Sequence, residues 1–154
     1  MRHNIIFRSL EIPIIYRITQ MLLAPGSDKF LKKHFKAMTH TLGGTEWLDI
    51  GCGPSPYVEL PKQKITALDI NWSYVKTLQK QKYQGVVGDA TSLPFADNSF
   101  PLVSSIGLLH HLSDESAKQA LNEMFRIIQP NGRVMVLDAV LPKVWWQRPY
   151  AYLI

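Results

Sequence analysis

Four short stretches of this sequence hold residue types and spacings suited to binding a small polar ligand. The first is Asp49-Ile-Gly-Cys-Gly-Pro-Ser-Pro56. Gly51 and Gly53 permit a tight turn and let a ligand approach the backbone closely. The third glycine of a dinucleotide fingerprint would fall at position 56, which is Pro56. A Gly-x-Gly pair by itself is also what a plain strand-to-helix turn needs. The second stretch ends at Asp69, eighteen residues after Gly51. That is close to the distance at which an acid meets a ribose in a βαβ nucleotide site, and a carboxylate can accept from both ribose hydroxyls. The third is Gly88-Asp89-Ala90, where Asp89 could accept from the exocyclic amine of a purine. The fourth is Ser104-Ser105-Ile106-Gly107, whose backbone carbonyls, if exposed, could hold an ammonium group, and His110 and His111 follow it.

The two histidines are the candidates for a general base, against the plainer role of packing at a helix entrance. Cys52 lies inside the glycine loop without a second cysteine or a base motif beside it, so it reads as a loop residue rather than a nucleophile. As the only cysteine it excludes an internal disulfide and a multi-cysteine zinc site, and no metal centre is expected.

These stretches need elements to hold them at one place. Trp47–Ile50 reads as a short buried strand running into the glycine loop. Ile65–Ile70 and Gln84–Gly88 read as a second and third strand, and Phe100–Leu109 contains a fourth. Ser113 is an N-cap for a helix with apolar positions Ala117, Ala120, Leu121, Met124, Phe125 and Ile128. Pro130-Asn131-Gly132 reads as a turn, and Arg133–Leu141 as a fifth strand, apolar enough to be covered on both faces. Strands alternating with helices imply right-handed crossovers and an α/β, doubly wound, mainly parallel sheet. Ligands bind such sheets at the carboxyl ends of the strands, where all four stretches fall.

Upstream, residues 1–44 read as an N-terminal helical segment, with breaks at Pro25-Gly26 and Gly43-Gly44. The chain of 154 residues is 46% hydrophobic and 19% charged, which fits a globular domain and excludes disorder. Its net charge of +5 is concentrated early: residues 1–46 hold seven Lys/Arg and three Asp/Glu. A solvated helix face explains this excess better than a nucleic-acid partner, so none is expected. The richest apolar stretch, Ile5–Leu23, is broken by Arg8, Glu11, Pro13 and Arg17, so no transmembrane span is expected and a cytoplasmic location is the default.

Taken in order, WLDIGCGPSP (47–56), ALDIN (67–71), GDATSLPFADNSFPLV (88–103), LLHHL (108–112) and EMFRIIQPNGRVMVLD (123–138) resemble the class I S-adenosylmethionine-dependent methyltransferases of the small-molecule, type 11-like family. The resemblance spans residues 47–141 and implies a Rossmann-like sheet of about five strands here, in the order 3-2-1-4-5. It implies S-adenosylmethionine as cofactor. Asp49, Gly51, Cys52 and Gly53 would line its methionine end, and Asp69 would hold the ribose with Ile70 beside the adenine. Asp89 and Ala90 would contact the adenine, and the backbone of Ser105 and Ile106 would face the methionine. The chain departs from the family pattern at Ser55, usually glycine, and at Pro101, usually aspartate. Pro101 is compatible with a strand only where its missing donor is not needed.

The family sheet continues beyond the fifth strand, whereas residues 142–154 form a short aromatic tail. This tail reads as the start of a further helix, and it and the open edge of strand five are candidates for homo-oligomer contacts. A methyltransferase acting on a small-molecule acceptor is the leading expectation. A non-catalytic cofactor-binding or scaffold protein, and an NAD(P)-dependent oxidoreductase, are the alternatives. The sequence does not name the acceptor.

Overall fold

The computed structural model describes Lys33, residues 46–54 and residues 62–138. Lys33 is helical. The remainder of the expected N-terminal helices, Ser55, Pro56 and the aromatic tail lie outside the described residues.

The chain forms β1 (Trp47–Ile50), β2 (Ile65–Asp69), helix α1 (Trp72–Lys80), β3 (Gln84–Val87), β4 (Phe100–Ile106), helix α2 (Asp114–Ile127) and β5 (Ile128–Leu137). A 3-10 turn at Lys62–Lys64 leads into β2, and another at Leu109–His111 follows β4. The five strands make one sheet in the order β3-β2-β1-β4-β5, and every pairing is parallel. This is the Rossmann-like α/β arrangement expected from the alternation of strands and helices.

The core follows from the period of the strands. Leu48 and Ile50 of β1 pack with Leu68, Val103 and the buried face of α2, formed by Ala120, Met124 and Ile127. Trp47 and Asp49 alternate with them and so point to the opposite face. Cys52, Ala67 and Leu78 make a second, smaller cluster. Ser113 caps α2 by accepting from the Ser116 amide, and Asp114 and Glu115 in the first turn suit the positive end of the helix dipole.

Four details differ from the sequence expectation. Phe125, expected on the buried face of α2, is 65% exposed, because residues 120, 124 and 127 define that face and position 125 lies 100° round from Met124. Ile128 is not helical but opens β5. Pro130-Asn131-Gly132 does not precede β5 but forms an irregularity within it: Phe100 pairs Ile128 and Leu102 pairs Arg133, and Asn131 takes φ 65° to absorb the extra residues. Pro101 sits opposite this irregularity and before the β1 pairing begins at Leu102, so its missing N–H leaves no gap in the β1 ladder. Nor is β5 covered on both faces among the described residues, since Val136 and Leu137 are 40% and 37% exposed.

Candidate active site at the carboxyl ends of the strands

The glycine loop leaves β1 through Gly51 and Gly53, both with positive φ (68° and 61°). Its amides are anchored to β2. Gly51 N and Cys52 N both donate to the Leu68 carbonyl, at 2.8 and 3.1 Å, and Gly53 N donates to Asp69 Oδ2 at 2.9 Å. The other oxygen, Asp69 Oδ1, accepts from Asn71 N at 2.8 Å, and the Asn71 side chain in turn caps α1 through Ser73 N. Asp69 is buried, at 8% exposure, yet each carboxylate oxygen has capacity for a second hydrogen bond.

The two glycines differ in what they face. A Cβ on Gly51 would lie 2.9 Å from Leu108 Cδ1, so this residue is glycine to admit the segment after β4. Among the described residues a Cβ on Gly53 would meet nothing within 4 Å, so Gly53 is the one bordering open space there. The close approach expected of both glycines is thus divided between them.

Asp49 is buried at 3% exposure and accepts from Ser104 Oγ at 2.6 Å, while that hydroxyl oxygen accepts from Trp47 Nε1 at 2.7 Å. The strand register sets this up, since Asp49 pairs Ser104 across β1 and β4. Burial pushes the Asp49 carboxyl up to about 7; the Ser104 hydrogen bond opposes the shift and the negative charge of Asp69 adds to it. Burial, with Asp49 and Asp69 nearby, also pushes the Cys52 thiol well up, which keeps it a neutral loop residue.

Asp89 lies beyond β3 in a turn of its own, with Oδ1 accepting from both the amide and the hydroxyl of Thr91 at 2.8 Å. These two bonds hold its carboxyl below the usual range. Asp89 is exposed and Ala90 buried, and Ile70 is 73% exposed. Ser105 is different from expectation. It is fully buried in the ladder, paired with Ile50 on one side and Val136 on the other. The backbone within reach of a ligand therefore starts one step later, at Ile106 and Gly107. The Ser105 hydroxyl is buried without a hydrogen-bond partner among the described residues.

His110 and His111 sit in the 3-10 turn after Gly107, with ring centroids 3.9 Å apart. Among the described residues only His110 has an acid within hydrogen-bond distance: its Nδ1 is 2.5 Å from Asp138 Oδ1, and Asp138 Oδ2 accepts from Leu109 N at 2.6 Å. Burial and the neighbouring His110 push His111 below the usual histidine range, and Asp138 opposes this. The sequence motifs do not single out Asp138 as a site residue. The available signal was a lone acid directly after the apolar run of β5.

A second network is likewise not singled out by the sequence motifs. Arg126 of α2 spends all five of its N–H groups on Glu123, Asp97 and the carbonyls of Leu93 and Phe95. Glu123 also accepts from Leu93 N at 2.7 Å. Together they tie the 93–97 segment, just after Asp89 and Ala90, to α2.

The structure thus brings the Gly53 loop, Asp69 and Asn71 into direct contact, and Leu108 of the His110 segment against Gly51. Among the described residues, the open space at Gly53, the spare acceptors of Asp69 and the Asp89 Oδ2 that accepts no hydrogen bond fit a nucleoside-bearing ligand. No group of His, Cys, Asp and Glu able to hold a metal occurs among the described residues.

Known proteins resemble this chain over the same region. A demethylmenaquinone methyltransferase of Mycobacterium marinum is 32% identical over 82% of this chain and 55% of its own length. An Arabidopsis thaliana tRNA (carboxymethyluridine(34)-5-O)-methyltransferase is 34% identical over 60% of this chain and 24% of its own. The chain thus spans about half of the first relative and a quarter of the second. The fold is also that of a Haemonchus contortus phosphoethanolamine N-methyltransferase, solved with phosphoethanolamine and S-adenosylhomocysteine. That protein has 20% identity and a TM-score of 0.55, over 64% of this chain and 23% of that one. The type 11 methyltransferase domain model matches residues 48–136, more than half of the chain and nearly the whole run from β1 to β5. The chain belongs to this methyltransferase-domain family.

Proposed function

We propose that the chain binds S-adenosylmethionine and serves as the cofactor-binding part of a methyltransferase acting on a small-molecule acceptor. The observation that carries this reading is the bond from Gly53 N to Asp69 Oδ2, which joins the glycine loop to the β2 acid beside open space, inside the family-matched span. Bound there, S-adenosylmethionine would supply a methyl group already activated on a sulfonium sulfur. The protein's task is then mainly to hold an acceptor in line with it, and positioning provides most of the acceleration. Asp69 would take the ribose hydroxyls, Ile70 would flank the adenine and Asp89 would accept from it. The loop from Asp49 to Gly53, with the backbone of Ile106 and Gly107, would line the methionine end.

The small-molecule acceptor is favoured because the demethylmenaquinone methyltransferase matches over the larger share of this chain. A nucleic-acid acceptor is the second reading, since other relatives are named as tRNA methyltransferases, although the charge pattern of the sequence leads to no expectation of a nucleic-acid partner. No helix among the described residues is long and apolar enough to cross a membrane. A cytoplasmic location, and self-association through β5 and the tail, complete the proposal.

Calorimetry with S-adenosylhomocysteine and with NAD tests it. Binding of the first alone is expected. Binding of NAD alone would favour an oxidoreductase, and binding of neither would leave the fold without the cofactor assigned to it.

A further inference from the structure

We propose that Asp138 positions His110 as a proton acceptor, and that the site takes a methyl acceptor whose attacking oxygen or nitrogen carries a hydrogen. The inference rests on the methyltransferase reading above and extends it to the acceptor.

Six of the residues already placed carry the inference. Asp138 follows β5 directly, and both its oxygens act on the segment after β4: Oδ2 takes the Leu109 amide at 2.6 Å and Oδ1 lies 2.5 Å from His110 Nδ1. A carboxylate only accepts, so Nδ1 carries the hydrogen in this contact. In a neutral imidazole the other nitrogen is then bare. Nε2 has no partner among the described residues, and the side chain is 24% exposed against 14% for Asp138. The ring also sits beside the strand ends: His110 Cε1 is 3.7 Å from where a Cβ on Gly107 would lie. Gly107 holds φ 65°, and Leu108 next to it packs on Gly51 of the cofactor loop. A bare imidazole nitrogen on a partly exposed side chain therefore lies on the same short segment that packs against the glycine loop of the proposed cofactor site.

His111 does not share this arrangement. Its amide donates to the Leu108 carbonyl, but its side chain has no hydrogen-bond partner among the described residues, where the charged groups facing the pair are each other and Asp138. His111 packs on the His110 ring and helps fix its plane.

The chemistry balances without a further reactant. The acceptor's lone pair forms the new bond to carbon, and the carbon–sulfur pair leaves with the thioether. The acceptor's proton passes to His110 Nε2, and Asp138 holds the resulting imidazolium. An acceptor with no hydrogen on the attacking atom would have no use for this pair.

The test is Asp138→Asn. Its amide oxygen must stay on the Leu109 N–H, which leaves the NH2 group facing His110 Nδ1. That group donates, so Nδ1 becomes the acceptor and the hydrogen moves to Nε2. Long-range 1H–15N spectra of the imidazoles should show Nδ1–H in the wild type and Nε2–H in the variant. Diethyl pyrocarbonate, which acylates a bare imidazole nitrogen, should modify His110 in the wild type and lose that reaction in the variant. S-adenosylhomocysteine affinity should be equal in the two proteins. A wild type with Nε2–H, or a variant whose tautomer and reactivity are unchanged, would overturn the proposal. A wild-type chain that binds no S-adenosylhomocysteine would instead bring down the methyltransferase reading, and this proposal with it, whichever tautomer His110 holds.

Discussion

Asp69 occupies two places at once in this molecule, as the staple of the glycine loop and as the acceptor proposed for a ribose. Asp69→Ala should weaken S-adenosylhomocysteine binding by the loss of one or two charge-assisted hydrogen bonds, each about 1.5–3 kcal/mol, read by calorimetry. The two glycines it helps to hold should separate by experiment. Gly51→Ala carries the strain of positive φ, of order 1–3 kcal/mol, and a clash with Leu108 as well. Gly53→Ala carries the strain alone, so urea denaturation should find Gly51→Ala the less stable of the two. Asp49 makes stability depend on pH with an unusual sign for an acid. The unfolded chain releases this proton near pH 4, while the folded chain keeps it to about 7. Between those values the native state binds more protons, so the contribution of Asp49 to stability falls as pH rises from about 4 to about 7 and then levels off. Asp49→Asn keeps an acceptor for Ser104 and removes the titration. Melting curves at intervals across that range should show a flatter pH dependence in the variant than in the wild type.

At the scale of elements, the site depends on segments that no single strand holds. The 93–97 segment is tied to α2 by Arg126 and Glu123, which reach it across some thirty residues of sequence. Arg126→Lys keeps the charge but not the fork of donors that serves Glu123, Asp97 and two carbonyls together. Hydrogen exchange should then speed up at Leu93 and through Asp97, while the amides of β1 and β4 keep their protection. Equal protection throughout would mean that packing of Leu93 and Phe95 alone holds the segment. The irregularity in β5 belongs to the same scale. Its sequence, Pro130-Asn131-Gly132, signals a turn, and the structure uses the same conformational freedom inside a strand.

For the whole molecule, a ligand at the strand ends would bridge both halves of the sheet, from β2 and β3 to the segment after β4. A ligand that binds only the folded state at about 100 times its dissociation constant adds about 2.7 kcal/mol. For a chain of this size that corresponds to a rise in melting temperature of roughly 5–10 °C. Differential scanning calorimetry with S-adenosylhomocysteine should show a rise of this order, and NAD at the same concentration should not.

The sequence by itself determined the class of sheet, because that rests on local signals: apolar runs of strand length, punctuating glycines, and an acid at a fixed distance from the loop; the strand order and the family followed from the resemblance carried by the ordered set of motifs. It placed Asp69, Asp89 and the Ser113 cap for the same reason. Tertiary structure decided what depends on register and on contacts between distant residues. Only the pairing of β1 with β4 puts Ser104 on Asp49, and so sets the state of that buried acid. Only the fold shows that Ser105 is sealed within the ladder, that Leu108 makes position 51 a glycine, and that Phe125 faces outward. The choice between two adjacent histidines is of this kind as well. His110 and His111 are alike as neighbours in the sequence, and a carboxylate arriving from β5, twenty-eight residues on, distinguishes them.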